Sequence, residues 1–130
     1  MYDVDELLAA NRAYYDALSA RDIEAMSLVW TCTSEDINIA PPIRPVVHAG
    51  WTAVKANYLA YWSTLSSLSV SMEESEVRFN GDTAWVHGVE VARRRLRDGG
   101  TEGSRNAGTS IFVRKDDRWR MTFHHTTALA

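Results

Sequence analysis

Leu68-Ser69-Val70-Ser71-Met72, followed by Val77-Arg78-Phe79-Asn80-Gly81, is where the chain changes its period. Leu68, Val70 and Met72 alternate with serines, the two-residue repeat of a strand with one covered face. Asn80-Gly81 is the dipeptide most favoured at a tight hairpin, because both residues accept positive φ. Thr83 to about Leu96 then reads as the returning strand, and Arg97-Asp98-Gly99-Gly100 as its turn. A long strand is expected from Thr101 to Lys115, a turn at Asp116-Asp117, and a last strand from Arg118 to Leu129.

Upstream of Leu68 the period is helical. Leu7, Leu8, Asn11, Tyr14, Tyr15 and Leu18 follow the three-to-four spacing of one helix face between Asp5 and about Arg21. Asp22 is an N-cap candidate for a second, short helix with Ile23, Met26, Val29 and Trp30 on its inner side. Asp36-Ile37-Asn38-Ile39 alternates like a short strand, and the proline-bearing Ala40-Pro41-Pro42-Ile43-Arg44-Pro45 cannot continue it, so it reads as a loop. A third helix is expected from Trp51 to about Leu65, with Trp51, Val54, Tyr58, Tyr61, Trp62 and Leu65 at helical spacing. Three helices followed by an antiparallel meander is an α+β pattern with the helices on one sheet face. No repeat or linker interrupts it, and residues 1–130 read as one domain.

Composition removes several function classes. Net charge is −3, which gives no support to nucleic-acid binding. No apolar run approaches the roughly 20 residues of a membrane span. The acidic start Met1-Tyr2-Asp3-Val4-Asp5-Glu6 lacks signal-peptide character, so a cytoplasmic location is the expectation. Cys32 is the only cysteine, which excludes an internal disulfide and a cysteine-built zinc site. His124 and His125 point to opposite faces of a strand and cannot easily share an ion, so no metal is expected from the four histidines. Arg93-Arg94-Arg95-Leu96-Arg97 reads as a solvated strand end; the sharper reading is that one arginine reaches an anionic substrate. No phosphate-cradling loop, dinucleotide fingerprint or serine elbow is present, and no cofactor is expected.

The stretch Gly108 to Thr126 resembles the closing hairpin of SnoaL-like domains, within the nuclear-transport-factor-2-like superfamily. A T-x-V-F strand, a D-G-[KR]-W turn and an H-H-rich last strand recur there together. Here Thr109-Ser110-Ile111-Phe112, Asp116-Asp117-Arg118-Trp119 and His124-His125 answer to them, with Asp117 in place of the turn glycine and Phe123 in place of one histidine. Tyr14 to Asp22 and Ala49 to Val54 resemble the family's first-helix end and third-helix entry. The resemblance implies a cone-shaped fold, helices packed on a curved antiparallel sheet, around one small-molecule pocket.

It also implies which strand faces look inward. Arg120, Thr122, His124 and Thr126 would face the pocket, and Trp119, Met121, Phe123 and His125 would face away. Val86, Gly88, Glu90, Ala92, Ser110 and Phe112 complete the sheet side, while Tyr14, Trp30, Tyr58 and Trp62 close the cone from the helices. Matching to ketosteroid isomerases puts their oxyanion tyrosine at Tyr14, but two of their three catalytic groups are missing, at Ala40 and Ser110. Matching to the association domain of calcium/calmodulin-dependent kinase II puts Glu90, Ser110 and Thr126 at its pocket arginines and Trp62 at its mobile tryptophan.

Glu90 is the sharpest signal, a carboxylate in mid-strand among Val86, Gly88, Val89 and Val91. Burial there should raise its pKa towards neutrality, which suits a general acid or base. Pairing with Arg94, Arg120 or a histidine is the structural alternative. His124 is its natural partner in proton transfer. Tyr14 and Asn38 would polarise a substrate oxygen, and Trp51, Tyr58 and Trp62 add aromatic walls with polar tips that require partners. His48, in the loop before the third helix, reads as a solvated residue or as a lip of the pocket, and Trp119 as core at a sheet edge or dimer face. The resulting expectation is a cofactor-independent isomerase, dehydratase or cyclase, acting by proton transfer on a small hydrophobic carbonyl or polyketide-like compound. The alternative is a non-catalytic ligand-binding or assembly domain. An enzyme should hold Glu90 without a compensating arginine, and an assembly domain should neutralise it with Arg94 or Arg120. The superfamily habit implies a homodimer through the outer sheet face, with Trp85, His87 and Phe123 at the interface.

Overall fold

Two aspartates start the first two helices. The Asp3 carboxylate accepts from the Asp5 N–H at 2.9 Å ahead of α1 (Val4–Ala20), and that of Asp22 accepts from the Ala25 N–H at 3.1 Å ahead of α2 (Ile23–Val29). Arg21, left-handed at φ 53°, ends the first and lets the chain double back. These elements belong to a computed structural model, which describes residues 2–40 and 47–129.

Helix α3 (Trp51–Trp62) is shorter than its spacing suggests. Ser63 Oγ donates to the Ala60 carbonyl at 2.6 Å and Thr64 Oγ1 to that of Tyr61 at 2.7 Å, so side chains satisfy the last turn. Leu65 therefore opens a strand instead of closing the helix.

The strands are β1 (Ile37–Ile39), β2 (Val47–Ala49), β3 (Leu65–Asn80), β4 (Thr83–Leu96), β5 (Thr101–Lys115) and β6 (Arg118–Ala128). They form one six-stranded sheet in the order β2-β1-β6-β5-β4-β3. The meander β3 to β6 is antiparallel, as its hairpin turns require. β1, however, joins β6 in parallel, so the sheet is mixed. No hairpin links these two strands; the connection runs through α3 and the meander, long enough for a parallel pair. Most of the proline-bearing loop expected after Ile39 lies outside the described residues. Strand β2 comes after it in the chain, and His48 pairs there with Asn38 instead of sitting in a loop.

The helices cover one sheet face, and Leu7, Met26, Trp30, Val54, Phe112 and Met121 are fully buried between the layers. One irregularity decides which residues that face carries. Ile111 pairs with Phe123 but Phe112 pairs with Met121, so Thr122 is an extra residue on β6. Each side of this bulge keeps its own alternation. Trp119 and Met121 turn inward and are buried, joining His124 and Thr126, while Arg120 leaves the inner face. The face assignment expected for the first half of this strand is thus reversed, because strict alternation cannot anticipate a bulge.

Candidate functional site

Consecutive inner-face positions line up across four strands. His48, Asn38, His124 and Ser110 are partners in register from β2 through β1 and β6 to β5. All four are buried, an unusual run of polar side chains against a helical layer. Burial of such groups is costly unless each finds a partner.

His124 finds two. Its Nδ1 lies 2.6 Å from Ser110 Oγ and its Nε2 lies 3.0 Å from Glu90 Oε2. Glu90 in turn accepts from Tyr15 OH at 2.7 Å and from Thr126 Oγ1 at 2.6 Å. Glu90 sits on β4 opposite Asn106, so its side chain must cross β5 diagonally to reach β6. Gly108 makes that crossing possible: a Cβ there would stand 2.7 Å from the Glu90 carboxyl carbon.

The ionisation of Glu90 differs from the sequence expectation. Burial pushes its pKa up, but the His124 charge and the hydrogen bonds from His124, Thr126 and Tyr15 outweigh it and hold the carboxyl below its ordinary 4.5. The expectation of a raised value considered burial without these donors. Neither Arg94 nor Arg120 neutralises it. Arg94 donates to Tyr61 OH and Ser104 Oγ, and Arg120 to the Trp30 carbonyl.

The helical side supplies phenols. The Tyr14 ring lies 4.7 Å from the His124 ring, centroid to centroid, and Tyr58 OH donates to Tyr14 OH at 3.2 Å. Burial first, and then the surrounding phenols and Glu90, push the Tyr14 pKa well up; burial does the same for Tyr15 and Tyr58. All three stay protonated donors. Tyr58 stacks on Trp62 at 5.5 Å, and Trp30 lies 6.3 Å from half-buried Trp51.

Several buried polar atoms have no partner among the described residues: Asn38 Oδ1, His48 Nε2, and the indole nitrogens of Trp30 and Trp62. His48, expected to be solvated, is buried beside Asn38. Asp36 is occupied structurally. It accepts from Thr31 Oγ1 and, at 3.1 Å, from the Thr33 N–H, and burial raises its pKa against these bonds.

Glu90, His124, Ser110, Thr126 and Tyr14 therefore converge. Phe112, two residues from Ser110 on β5, is fully buried core paired with Ala84 and Met121. Tyr15 is the member that sequence reasoning missed. Its spacing placed it with the core face of α1, although a buried phenol needs a hydrogen-bond partner and a buried carboxylate needs donors. Among the described residues no three His, Cys, Asp or Glu side chains gather as a metal-binding group, and no helix is long and apolar enough to cross a membrane.

Residues 7–130 match the family model of the SnoaL-like domain. The chain belongs to that family. This SnoaL-like chain has no match among curated proteins. Solved structures share its fold at low identity. A candidate dehydratase of the nuclear-transport-factor-2-like family from Streptomyces avermitilis is 22% identical with a TM-score of 0.85, covering 97% of this chain and 95% of that one. A nuclear-transport-factor-2-like superfamily protein from Salmonella enterica serovar Typhimurium is 17% identical with a TM-score of 0.89, covering 97% and 90%. A candidate calcium/calmodulin-dependent protein kinase II association domain from Xanthomonas campestris is 15% identical with a TM-score of 0.83, covering 99% and 89%.

Proposed function

We propose that this SnoaL-like domain is a cofactor-independent proton-transfer enzyme of the isomerase, dehydratase or cyclase type, acting on a small, mostly apolar carbonyl compound. The buried chain Ser110–His124–Glu90, with Tyr14 packed on the imidazole, carries the reading. An ionised Glu90 accepts from Nε2–H and fixes the imidazole so that Nδ1 holds the lone pair. The Ser110 hydroxyl donates to Nδ1 in the neutral ring and accepts from it in the imidazolium. A change of the Ser110 rotamer that withdraws Oγ frees the Nδ1 lone pair to take the proton of an acidic C–H, and the imidazolium so formed returns that proton to the substrate, at a second carbon or at a departing hydroxyl. Tyr14 already accepts from Tyr58, so its own proton is left for the substrate's oxygen. Asn38, one strand from His124 and unpartnered at Oδ1, is the second group for an oxygenated substrate.

No arginine compensates Glu90, which supports the enzyme reading; its partner is a histidine, a pairing that a purely structural role shares. The likeness to a candidate dehydratase agrees with the reaction class at the level of fold.

The test requires no knowledge of the natural substrate. The protein is incubated in D2O with a panel of cyclic and aryl-alkyl ketones, 2-tetralone among them, and loss of α-hydrogen signals is followed by proton NMR. Accelerated exchange that falls by roughly 10²–10⁴-fold in Glu90→Gln and His124→Gln is expected. Exchange across the panel no faster than in buffer, or unchanged in both folded variants, contradicts the reading.

Self-association through the outer sheet face is the second part of the proposal. Trp85, Ile111, Phe123 and Ile37 are partners in register there and only half buried, an apolar row for a second copy to cover. His87 stands on the same face beside Glu76, 3.5 Å away.

A further inference from the structure

Among Arg93, Arg94, Arg95 and Arg97, Arg94 differs from the others. Arg93, Arg95 and Arg97 are exposed, whereas Arg94 is half-buried. It follows Glu90 by four residues on β4, so both side chains belong to the inner face, roughly 13 Å apart along the strand. Its guanidinium is aimed by two hydroxyls: Nε donates to Tyr61 OH of α3 at 3.0 Å and Nη2 to Ser104 Oγ of β5 at 2.8 Å. Among the described residues no carboxylate lies within 4.0 Å of it. Glu102, its partner across the ladder, is exposed and makes no ion pair with it. Two of five guanidinium donors are used, which leaves three.

A polar track runs from this arginine to the candidate site. Asn106, the register partner of Glu90, donates to Ser104 Oγ at 3.4 Å, and Ser104 binds Arg94. On the helical side, Tyr61 is followed by Trp62, which is only 6% exposed and whose indole N–H has no partner. A fixed, half-buried cation at the end of an inner polar track is an arrangement that receives an organic anion. Only one guanidinium serves this place, since Arg93 and Arg95 stand on the opposite face of the strand. A monovalent carboxylate matches a single fork; a phosphate dianion calls for more.

We infer that the ligand of this pocket is an amphiphile whose carboxylate is bound by Arg94 while its apolar body extends towards His124 and Glu90. The inference rests on the proposed pocket around those two residues and narrows its substrate class.

The probe is 6-phenylhexanoate against its primary amide, titrated into the full chain and followed by Trp indole and Arg Nε–H signals in nitrogen-proton NMR. The acid should bind about tenfold or more tightly than the amide, the worth of one charge-assisted hydrogen-bonded pair. Arg94→Gln should erase that preference. Because Arg94 also ties α3 to the sheet, Arg94→Lys and Tyr61→Phe are measured beside it, each checked for native fold by its amide spectrum; both keep a cation and should retain a reduced preference. Equal affinity for acid and amide, no binding of either, or a preference unmoved by all three changes overturns the assignment. The readout is binding alone. Acid selectivity through Arg94 without α-hydrogen exchange would count against the proton-transfer reading and leave this one standing, and the reverse pair of results would do the opposite.

Discussion

Two rows of residues, one on each face of the sheet, invert the usual distribution. The row His48–Asn38–His124–Ser110 lies on the covered face and is polar; the row Ile37–Phe123–Ile111–Trp85 lies on the open face and is apolar. On β1, β6 and β5 the two rows occupy adjacent positions, so composition along those strands does not separate them. The difference is what the two proposals rest on, a ligand for the covered row and a second copy for the open one. Buried polar atoms without partners call for a ligand, and half-exposed apolar ones call for a protein surface.

The sharpest way to break this contrast is to remove one member of the buried pair. His124→Phe leaves Glu90 ionised, enclosed and without its Nε2–H donor, and should cost about 3–5 kcal/mol in urea denaturation at neutral pH. Adding Glu90→Leu should recover much of that loss, because the orphaned charge is gone. Additive losses would mean the two side chains do not act as a pair.

Next in size is the comparison across the bulge. Met121→Ala should cost about 2–5 kcal/mol, as for any fully buried methionine, whereas Phe123→Ala should cost about 1 kcal/mol or less in the monomer. The opposite ranking would restore strict alternation along β6 and remove the bulge at Thr122. Smallest of all on monomer stability is Phe123→Arg, expected to fall within about 0.5 kcal/mol while abolishing self-association in sedimentation velocity. Unchanged association would free the outer face of its proposed partner.

Much of the fold was legible in the sequence, because hairpin chemistry and period are local. Asn80-Gly81, the change of period near Leu68 and the N-cap Asp22 each predicted an element that formed. The helix end at Trp62 was less so, since serine and threonine hydroxyls closed it ahead of an apolar residue that kept the helical spacing. β2 and the parallel placement of β1 were not legible, because a three-residue strand is defined by its neighbours. At the site, Glu90 and His124 stood out as polar residues in apolar strands, and they meet. Their wiring could not be read. Tyr15 reaches Glu90 from a helix 75 residues away in sequence, and Gly108 matters for the space it leaves. The pKa direction followed the wiring and so was reversed.

The measurement that bears most directly on the account is a pH titration of the Glu90 carboxyl by carbon-13 NMR. The account predicts a midpoint below the ordinary 4.5, moving up in His124→Phe. A depressed folded value means that the unfolded chain binds more protons between the two midpoints. The stability from Glu90 is then complete above the unfolded midpoint and is lost as pH falls through the folded one, so Glu90→Gln should flatten that acid limb. A midpoint near neutrality would contradict the account: Glu90 would then be a buried acid holding its own proton, and His124 would have no anion to orient it.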